Sequence, residues 1–345
     1  MLATCVHARQ FESSTRLGTM PRRRLLAMAA TASAIWLAPR ETAAQVTPDD
    51  AGWTFTDDLG QTVALPQTPT RVVADLSAAT ALWDFGFAPV AVSGWMTGTD
   101  DAWGNLDRAL PVVNSATGAP DPDPEQLLAL DADLFVTVSS ANPDNPYEWS
   151  FPQIETLERV RQVVPVVAIS ATGRADENVL RFAELARLLG ADVNTPDLVA
   201  AKRDYDRAIE GLRTVAAEQR DLKVLFVSAA DDALYVANPT ASADLALFQA
   251  LGLNVVVPER TEDGYWEMLS PEQALKYPAD IVFQARSGAL SIEGLKAHPT
   301  YGQMPAVKAG QAHTRNLDVV QSYQGMAVSI NELLPTLRAA KDVTP

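Results

Sequence analysis

Cysteine is almost absent from this 345-residue sequence, which contains only Cys5. That residue lies in an N-terminal stretch that we expect to be removed from the mature protein. Without a second thiol, the remaining chain can form neither a disulfide nor a cysteine-ligated metal site, and it has no cysteine for lipid attachment. The sequence therefore excludes disulfide-stapled domains, cysteine-based metalloproteins and lipoproteins.

Histidine and catalytic motifs are also scarce. Only His298 and His313 follow residue 44, and a transition-metal site needs three or four converging ligands. We interpret both histidines as structural side chains. The sequence lacks the GxSxG, GxGxxG, P-loop and HExxH patterns, which argues against common hydrolase, nucleotide-binding and metalloprotease classes.

Basic residues are few in comparison with acidic ones. Residues 45–345 contain 21 Lys and Arg against 41 Asp and Glu, a net charge of −20. Such a surface repels phosphates and anionic lipids, so we expect neither nucleic acid nor an anionic membrane as a partner. We interpret the negative charge as a feature that supports solubility.

The N-terminus has the pattern of an export signal. Arginines at 22–24 precede an apolar run at 25–39, and small residues follow at 42–44. We predict a signal peptide at 1–44, with cleavage after Ala44 and a mature protein in the periplasm or cell exterior. The arginines are typical of a twin-arginine signal. A membrane anchor is the alternative interpretation, and Met20 is an alternative start.

Two similar segments stand far apart in the chain. PEQLLALDADLFVT (124–137) and PEQALKYPADIVFQ (271–284) both begin with Pro-Glu-Gln and end in an apolar run. Each predicts a short helix begun by proline, a tight turn and a strand buried on both faces. We interpret the pair as a duplicated unit, with coincidence as the alternative.

The two halves of the sequence both alternate between strands and helices. Eight strands are predicted, at 71–76, 89–94, 133–139, 163–170, 223–229, 254–258, 280–285 and 311–316. This alternation predicts an α/β fold with largely parallel sheets. About 300 residues exceed one typical core, so we expect an N-terminal lobe at 45–192 and a C-terminal lobe at 221–345.

A long helical stretch, 193–220, separates the two predicted lobes. Thr195 can cap a helix that Pro196 begins, and the helix is predicted to continue to Arg220. An apolar stripe runs along it at helical spacing, formed by Leu198, Tyr205, Ile209, Leu212 and Ala216. We expect a rigid helix that holds the lobes apart, with an ordinary surface helix as the alternative.

Aromatic and polar side chains follow several predicted strands. Ligands of open α/β sheets bind at the carboxyl ends of strands, and aromatic rings and arginines there suit a large, partly apolar, anionic ligand. The candidates are Trp95, Met96, Trp103, Ser139, Ser140, Trp149, Tyr235, Trp266, Arg286 and Tyr323. Packing is the alternative role for each tryptophan, and a surface ion pair is the alternative for Arg286.

Six segments, taken in order, resemble the substrate-binding proteins of ABC importers for iron–siderophores, haem and vitamin B12. They are 55–75, 89–95, 123–137, the long helix, 265–283 and 298–316. The resemblance implies two Rossmann-like lobes joined by a single long rigid helix, with the ligand in the cleft between them. It also implies a monomeric, non-enzymatic protein that serves an inner-membrane permease.

Some residue roles follow only from this resemblance. Trp95 stands where the family places an aromatic cleft residue, and Glu125 stands where an N-lobe glutamate pairs with arginines of the permease. The matching C-lobe position is Gln249 instead of an acid. This departure puts symmetric docking in doubt, although Asp244 lies nearby.

The resemblance suggests a ferric siderophore as cargo, which would carry the iron within its own oxygens and require no metal ligand or cofactor from the protein. Few basic residues stand near the predicted cleft, which favours a hydroxamate or mixed siderophore over a triply anionic catecholate. A corrinoid or haem is the alternative, with Tyr235, Tyr265 or Tyr323 as a candidate axial ligand for haem. A secreted enzyme on the same scaffold is the alternative from another class.

Overall fold

The computed structural model describes residues 52–115, 121–261 and 264–344. The predicted signal peptide and the alternative membrane anchor lie outside these ranges. Within them, no helix combines the length and the apolarity that crossing a bilayer requires.

The N-terminal half contains a β-hairpin and a four-stranded sheet. The hairpin pairs β1 (Trp53–Thr56) with β2 (Thr62–Leu65). The sheet has the order β4-β3-β5-β6 and is entirely parallel; its strands are β3 (Val72–Asp75), β4 (Ala91–Ser93), β5 (Leu134–Ser139) and β6 (Val166–Ser170). Nearly every residue of these four strands is buried, as their continuous apolar runs predict.

Helices cover this sheet and follow its strands. They are α1 (Leu76–Asp84), α2 (Pro124–Ala129), α3 (Ile154–Arg161) and α4 (Ala175–Leu188). Asp75, the last residue of β3, caps α1 by accepting a hydrogen bond from the Ala78 backbone N–H at 2.8 Å. The same carboxylate lies at the carboxyl end of the sheet, so this cap also helps to form the site described below.

The predicted long helix is α5 (Pro196–Glu218), and it ends two residues before the predicted end. Thr195 caps it, accepting from the Leu198 backbone N–H at 3.3 Å. The predicted stripe is buried except for the half-buried Ile209. The helix lies between the two sheets in sequence and packs along the last helix, α9 (Tyr323–Ala339).

The C-terminal sheet is mixed. Its order is β11-β10-β7-β8-β9, and its strands are β7 (Val224–Ala229), β8 (Leu234–Ala237), β9 (Trp266–Leu269), β10 (Ile281–Ala285) and β11 (Ala312–Arg315). The antiparallel strands β8 and β9 were not predicted, and neither was the hairpin of β1 and β2. The predicted strand at 254–258 makes only one parallel bridge, from Val255 to Val224, because β8 pairs with the far end of β7 on that side.

Helices of the C-terminal half are α6 (Ala243–Ala250), α7 (Ile292–Ala297), α8 (Pro305–Lys308) and α9. The second Pro-Glu-Gln segment forms only a 3-10 turn, Pro271–Gln273, where the first forms α2. The strands that follow, β5 and β10, nevertheless occupy corresponding positions in their sheets. β5 lies between β3 and β6, and β10 lies between β7 and β11. This shared position supports the duplication.

One apolar core runs through both halves. It includes Leu82 of α1, Leu212 of α5, Phe226 of β7 and Ile330 of α9. Each sheet also has one smaller cluster on its other face, away from this common core. The two sheets are therefore held together through a common core to which α5 and α9 contribute.

A buried carboxylate joins α1 to the start of α9. Asp84 accepts a hydrogen bond from the Ser322 hydroxyl at 2.5 Å and from the Asn105 amide at 3.0 Å. The Gln324 amide donates to the Asp84 backbone oxygen at 3.1 Å. Burial raises the pKa of Asp84.

This raised pKa predicts a pH dependence of stability. The folded state holds the Asp84 proton more tightly than the unfolded chain, so the wild type should gain stability as pH falls from neutrality toward the ordinary aspartate range. Asp84→Asn should lose this part of the gain. The measurement is urea denaturation at several pH values, with Asp144→Asn, at an exposed position, as the matched control. A difference between Asp84→Asn and wild type that does not vary with pH would contradict the assignment.

Candidate functional site

A cavity of about 370 Å³ lies between the two halves. Its lining includes Asp75 at the end of β3, Trp95 just after β4, Val138 near the end of β5 and Arg315 at the end of β11. It therefore occupies the place where open α/β sheets bind ligands. Its volume is near the lower end of the range for small-molecule pockets.

Aromatic side chains from both halves form much of the wall. Trp95 begins a 3-10 turn after β4 and is 57% exposed, and Met96 follows it. Trp149 lies 5.6 Å from Tyr265, measured between ring centroids. Trp266, the first residue of β9, lines the cavity from the C-terminal half. Such rings offer broad contact area to a large, partly apolar ligand.

Tyr265 joins the two halves at the cavity wall. Its hydroxyl accepts a hydrogen bond from the Ala141 backbone N–H at 2.7 Å and donates to Glu148 at 3.3 Å. Tyr265 and Trp149 line both the cavity and an outer groove that includes Asn142 and Glu148. The two rings thus form a wall that the cavity and this groove share. Burial raises the pKa of Tyr265 above the ordinary tyrosine value.

Asp75 supplies a buried carboxylate to the cavity wall. Besides capping α1, it accepts hydrogen bonds from the Val138 backbone N–H at 2.6 Å, the Thr137 hydroxyl at 2.8 Å and the Ser150 hydroxyl at 3.1 Å. Burial raises the pKa of this carboxyl group. These contacts tie β3, β5 and the loop that carries Trp149 into one unit, so Asp75 positions the aromatic wall.

Arg315 is the functional candidate that the sequence analysis missed. Its guanidinium donates from Nη2 to Asp244 Oδ2 at 2.6 Å, and both side chains are buried. The guanidinium also lies 4.9 Å from the centroid of the Phe226 ring. The rule that selected Arg286, a cation at the end of a predicted strand, applies equally to Arg315, since both strands end at the same edge.

Arg286 itself lies outside the cavity lining. Its guanidinium is 3.7 Å from Glu332 of α9, and its side chain is 46% exposed. The surface ion pair that was the alternative interpretation is therefore present, and Arg286 does not line the cavity.

The other predicted residues divide between the cavity wall and the packing behind it. Trp95, Met96, Trp149 and Trp266 line the cavity. Five do not, namely Trp103, Ser139, Ser140, Tyr235 and Tyr323. Trp103 is buried and donates from Nε1 to the Thr97 backbone oxygen at 3.1 Å. Tyr323 packs against Phe85 and Tyr205.

The serines and Tyr235 are displaced from the cavity for local reasons. Ser139 and Ser140 are buried, and the Ser140 hydroxyl accepts from the Asn142 backbone N–H at 3.2 Å within the loop. Tyr235 lies on β8, which pairs with β7 and β9 and was not predicted as a strand. Three of the ten predicted ligand residues therefore belong to loop or sheet packing.

The two predicted docking positions lie on the outside of each half. Glu125 is exposed at the start of α2, where Asp123 provides the cap. Gln249 is half-buried on α6, with its amide 3.4 Å from the Val255 backbone oxygen. Asp244 is buried beside Arg315 and faces the cavity, so it does not replace an acid at Gln249. No group of three His, Cys, Asp or Glu residues arranged for a metal ion is found among the described residues.

Comparison with known proteins agrees with this geometry. Residues 63–314 match the family described as Periplasmic binding protein. The structure of DesE, a ferric-siderophore receptor protein from Streptomyces coelicolor, is 33% identical, covers 85% of this chain and 100% of its own, and superposes with a TM-score of 0.73.

Two more distant proteins also match this chain. The siderophore periplasmic binding protein from the fuscachelin gene cluster of Thermobifida fusca is 20% identical, covers 79% of this chain and 98% of its own, and has a TM-score of 0.59, which shows a common fold. The Fe(3+)-citrate-binding protein YfmC of Bacillus subtilis (strain 168) is 23% identical over 79% of this chain and 81% of its own. The chain belongs to the periplasmic binding protein family, and it is the substrate-binding component of an ABC transporter and not an enzyme.

Proposed function

We propose that this protein binds a ferric siderophore in the cavity between its halves and delivers it to an inner-membrane permease. The observation that carries the proposal is the cavity wall, in which Trp95 and Trp266 come from opposite halves and one buried arginine, Arg315, lies against the Phe226 ring. The similarity to DesE, a ferric-siderophore receptor, supports the same cargo class.

The wall suits such a complex physically. A siderophore surrounds iron with its own oxygens and presents a broad, partly apolar surface, which indole rings cover at small entropic cost. The iron needs no protein ligand in this arrangement. The aromatic residues supply contact area, and the arginine supplies a charged hydrogen-bond donor for a chelating oxygen.

Tryptophan fluorescence tests the proposal directly. Ferric siderophores absorb light, so binding beside Trp95 and Trp266 should quench the emission of the wild type. Trp95→Ala should raise the Kd roughly ten- to a hundredfold, because burying an apolar side chain of this size contributes about 1.5–3 kcal/mol. The control is Trp53→Phe, a tryptophan outside the cavity lining. If no ferric siderophore quenches the wild type or raises its melting temperature, the proposed cargo is wrong.

Haem is less well accommodated than a siderophore. Of the three tyrosines considered as axial ligands, only Tyr265 lines the cavity, and its hydroxyl is already engaged by Ala141 and Glu148. A Soret band that appears on adding haem to the wild type and is lost in Tyr265→Phe would instead support haem. Cobalamin, added in the fluorescence assay, tests the corrinoid alternative.

We infer that 45–192 and 221–345 act as two lobes and that α5 keeps their separation nearly fixed. Its 23 residues span roughly 35 Å at 1.5 Å per residue, and its packing along α9 adds stiffness. Small-angle scattering should give nearly the same radius of gyration with and without the ferric siderophore, unlike proteins that close about a hinge. A clear compaction on binding would show that α5 bends or that the lobes rotate around it.

Glu125 is proposed as a permease contact in the N-terminal lobe, because it is exposed at the start of α2 and does not line the cavity. Glu125→Gln should leave the Kd for the ferric siderophore unchanged and slow its uptake by cells that carry the variant. Glu155→Gln, at an exposed first-turn glutamate of α3, is the matched control. A raised Kd with normal uptake would place Glu125 on the wrong surface.

A further inference from the structure

The outer groove beside the cavity combines an acid with aromatic rings. Its volume is about 790 Å³, and its lining includes two prolines, two asparagines and the side chains of Trp149 and Tyr265. Glu148 is the one charged residue among the described residues that line it. The described wall therefore offers no lysine or arginine to an anion, whereas a cation meets a carboxylate and two rings.

The carboxylate of Glu148 is held in place by neutral groups. Its Oε2 accepts a hydrogen bond from the Asn142 amide at 2.7 Å, and its Oε1 accepts one from the Tyr265 hydroxyl at 3.3 Å. Neither donor carries a charge, so neither neutralises the carboxylate. An ionised carboxylate has about four acceptor positions. Glu148 therefore keeps the capacity to accept from a third donor, and a charged donor would form the strongest such bond.

The loop that carries Glu148 is braced by its own asparagines. Asn142 Oδ1 accepts from the backbone N–H groups of Asp144 at 3.0 Å and Asn145 at 3.3 Å. The Asn145 amide donates to the Phe151 backbone oxygen at 2.8 Å. These contacts give the loop its shape without a ligand, so little conformational entropy is lost when one binds.

The rings of Trp149 and Tyr265 form the aromatic side of the outer groove. They contact each other, and both line the cavity as well as the groove. Aromatic faces attract ammonium groups, and the attraction is strongest where the cation is partly desolvated. The methylene chain that carries such a cation can pack on the same rings. Rings and an acid that lie together in one groove are typical of a site for an alkylammonium group.

We propose that the outer groove binds the ammonium tail of a ferric hydroxamate siderophore whose iron centre lies in the cavity. This inference rests on the proposed siderophore function. A linear hydroxamate siderophore that is built from diamine units ends in a primary amine, which is protonated at neutral pH. The tail lies along the wall that the cavity and the groove share, formed by Trp149 and Tyr265, and its ammonium group donates to Glu148.

The first measurement compares two probes on the wild type by titration calorimetry. Ferrioxamine B is a linear ferric tris-hydroxamate with a pentylammonium tail, and its N-acetyl derivative has the same iron centre but no charge on the tail. Ferrioxamine B should bind roughly tenfold more tightly, because its ammonium group gains contacts with the rings and the carboxylate. Equal affinities, or tighter binding of the N-acetyl derivative, would overturn the inference and leave the siderophore function standing.

Glu148→Gln separates a ligand contact from a structural role. Glutamine keeps the size of the side chain and an acceptor oxygen but removes the charge. The roughly tenfold preference for ferrioxamine B should disappear, while the Kd for the N-acetyl derivative stays close to the wild-type value. A purely structural role would weaken both probes equally and preserve the preference, which would contradict the assignment. Asp144→Asn is the matched control, since it removes an exposed acid of the same loop outside the groove lining, and it should keep the preference.

Pentylamine alone distinguishes a siderophore tail from a free amine. It lacks the iron centre, so it should bind far more weakly than ferrioxamine B, and a comparable affinity would assign the groove to free amines instead. If neither ferrioxamine probe binds the wild type, the inference is wrong. The fluorescence test with other ferric siderophores then decides the proposed function separately.

Discussion

The packing of α5 along α9 is the constraint on which the cavity depends. These helices belong to the apolar core that both sheets share. Because the sheets are held through that core, the carboxyl ends of their strands come to face a common space. Asp84 links α1 to α9 as well. It is buried in α1 and accepts hydrogen bonds from Ser322 and Gln324 at the start of α9.

Both halves place buried ionisable groups at the cavity, Asp75 in the N-terminal half and Arg315 with Asp244 in the C-terminal half, and they are stabilised differently. Asp75 is surrounded by neutral donors, namely backbone N–H groups and the hydroxyls of Thr137 and Ser150. Arg315 has an ionic partner in Asp244 and an aromatic face in Phe226. Asp75 therefore uses its hydrogen-bonding capacity within the fold, whereas Arg315 retains a donor.

Much of the fold could be predicted because its signals are local. The buried strands β5 and β10 are continuous apolar runs, and α5 begins with the Thr195-Pro196 pair that its cap requires. The short strands β8 and β9 depend on pairing with each other and with β7, which no local pattern encodes. The segment at 254–258 has a strand-like composition, but β8 occupies most of the edge of β7 with which it would pair, and only Val255 forms a bridge to Val224.

The candidate site was predictable to a similar extent. Trp95 and Trp149 follow strands of the N-terminal sheet and line the cavity, as expected because ligands of open α/β sheets bind at the carboxyl ends of strands. The same rule could not distinguish Arg286 from Arg315, because both end strands of one sheet. What separates them is the ion pair with Asp244, a residue far away in sequence, and the contact of Arg286 with α9. Such partners become visible only when the chain is folded.

The contact of Tyr265 with Ala141 and Glu148 joins the two halves beside the cavity. A ligand that needs more room on this side can enter only after the contact breaks, and its binding free energy is then reduced by the loss of these hydrogen bonds. A ligand that fits without breaking the contact bears no such cost. The contact therefore favours ligands whose size and shape match the cavity.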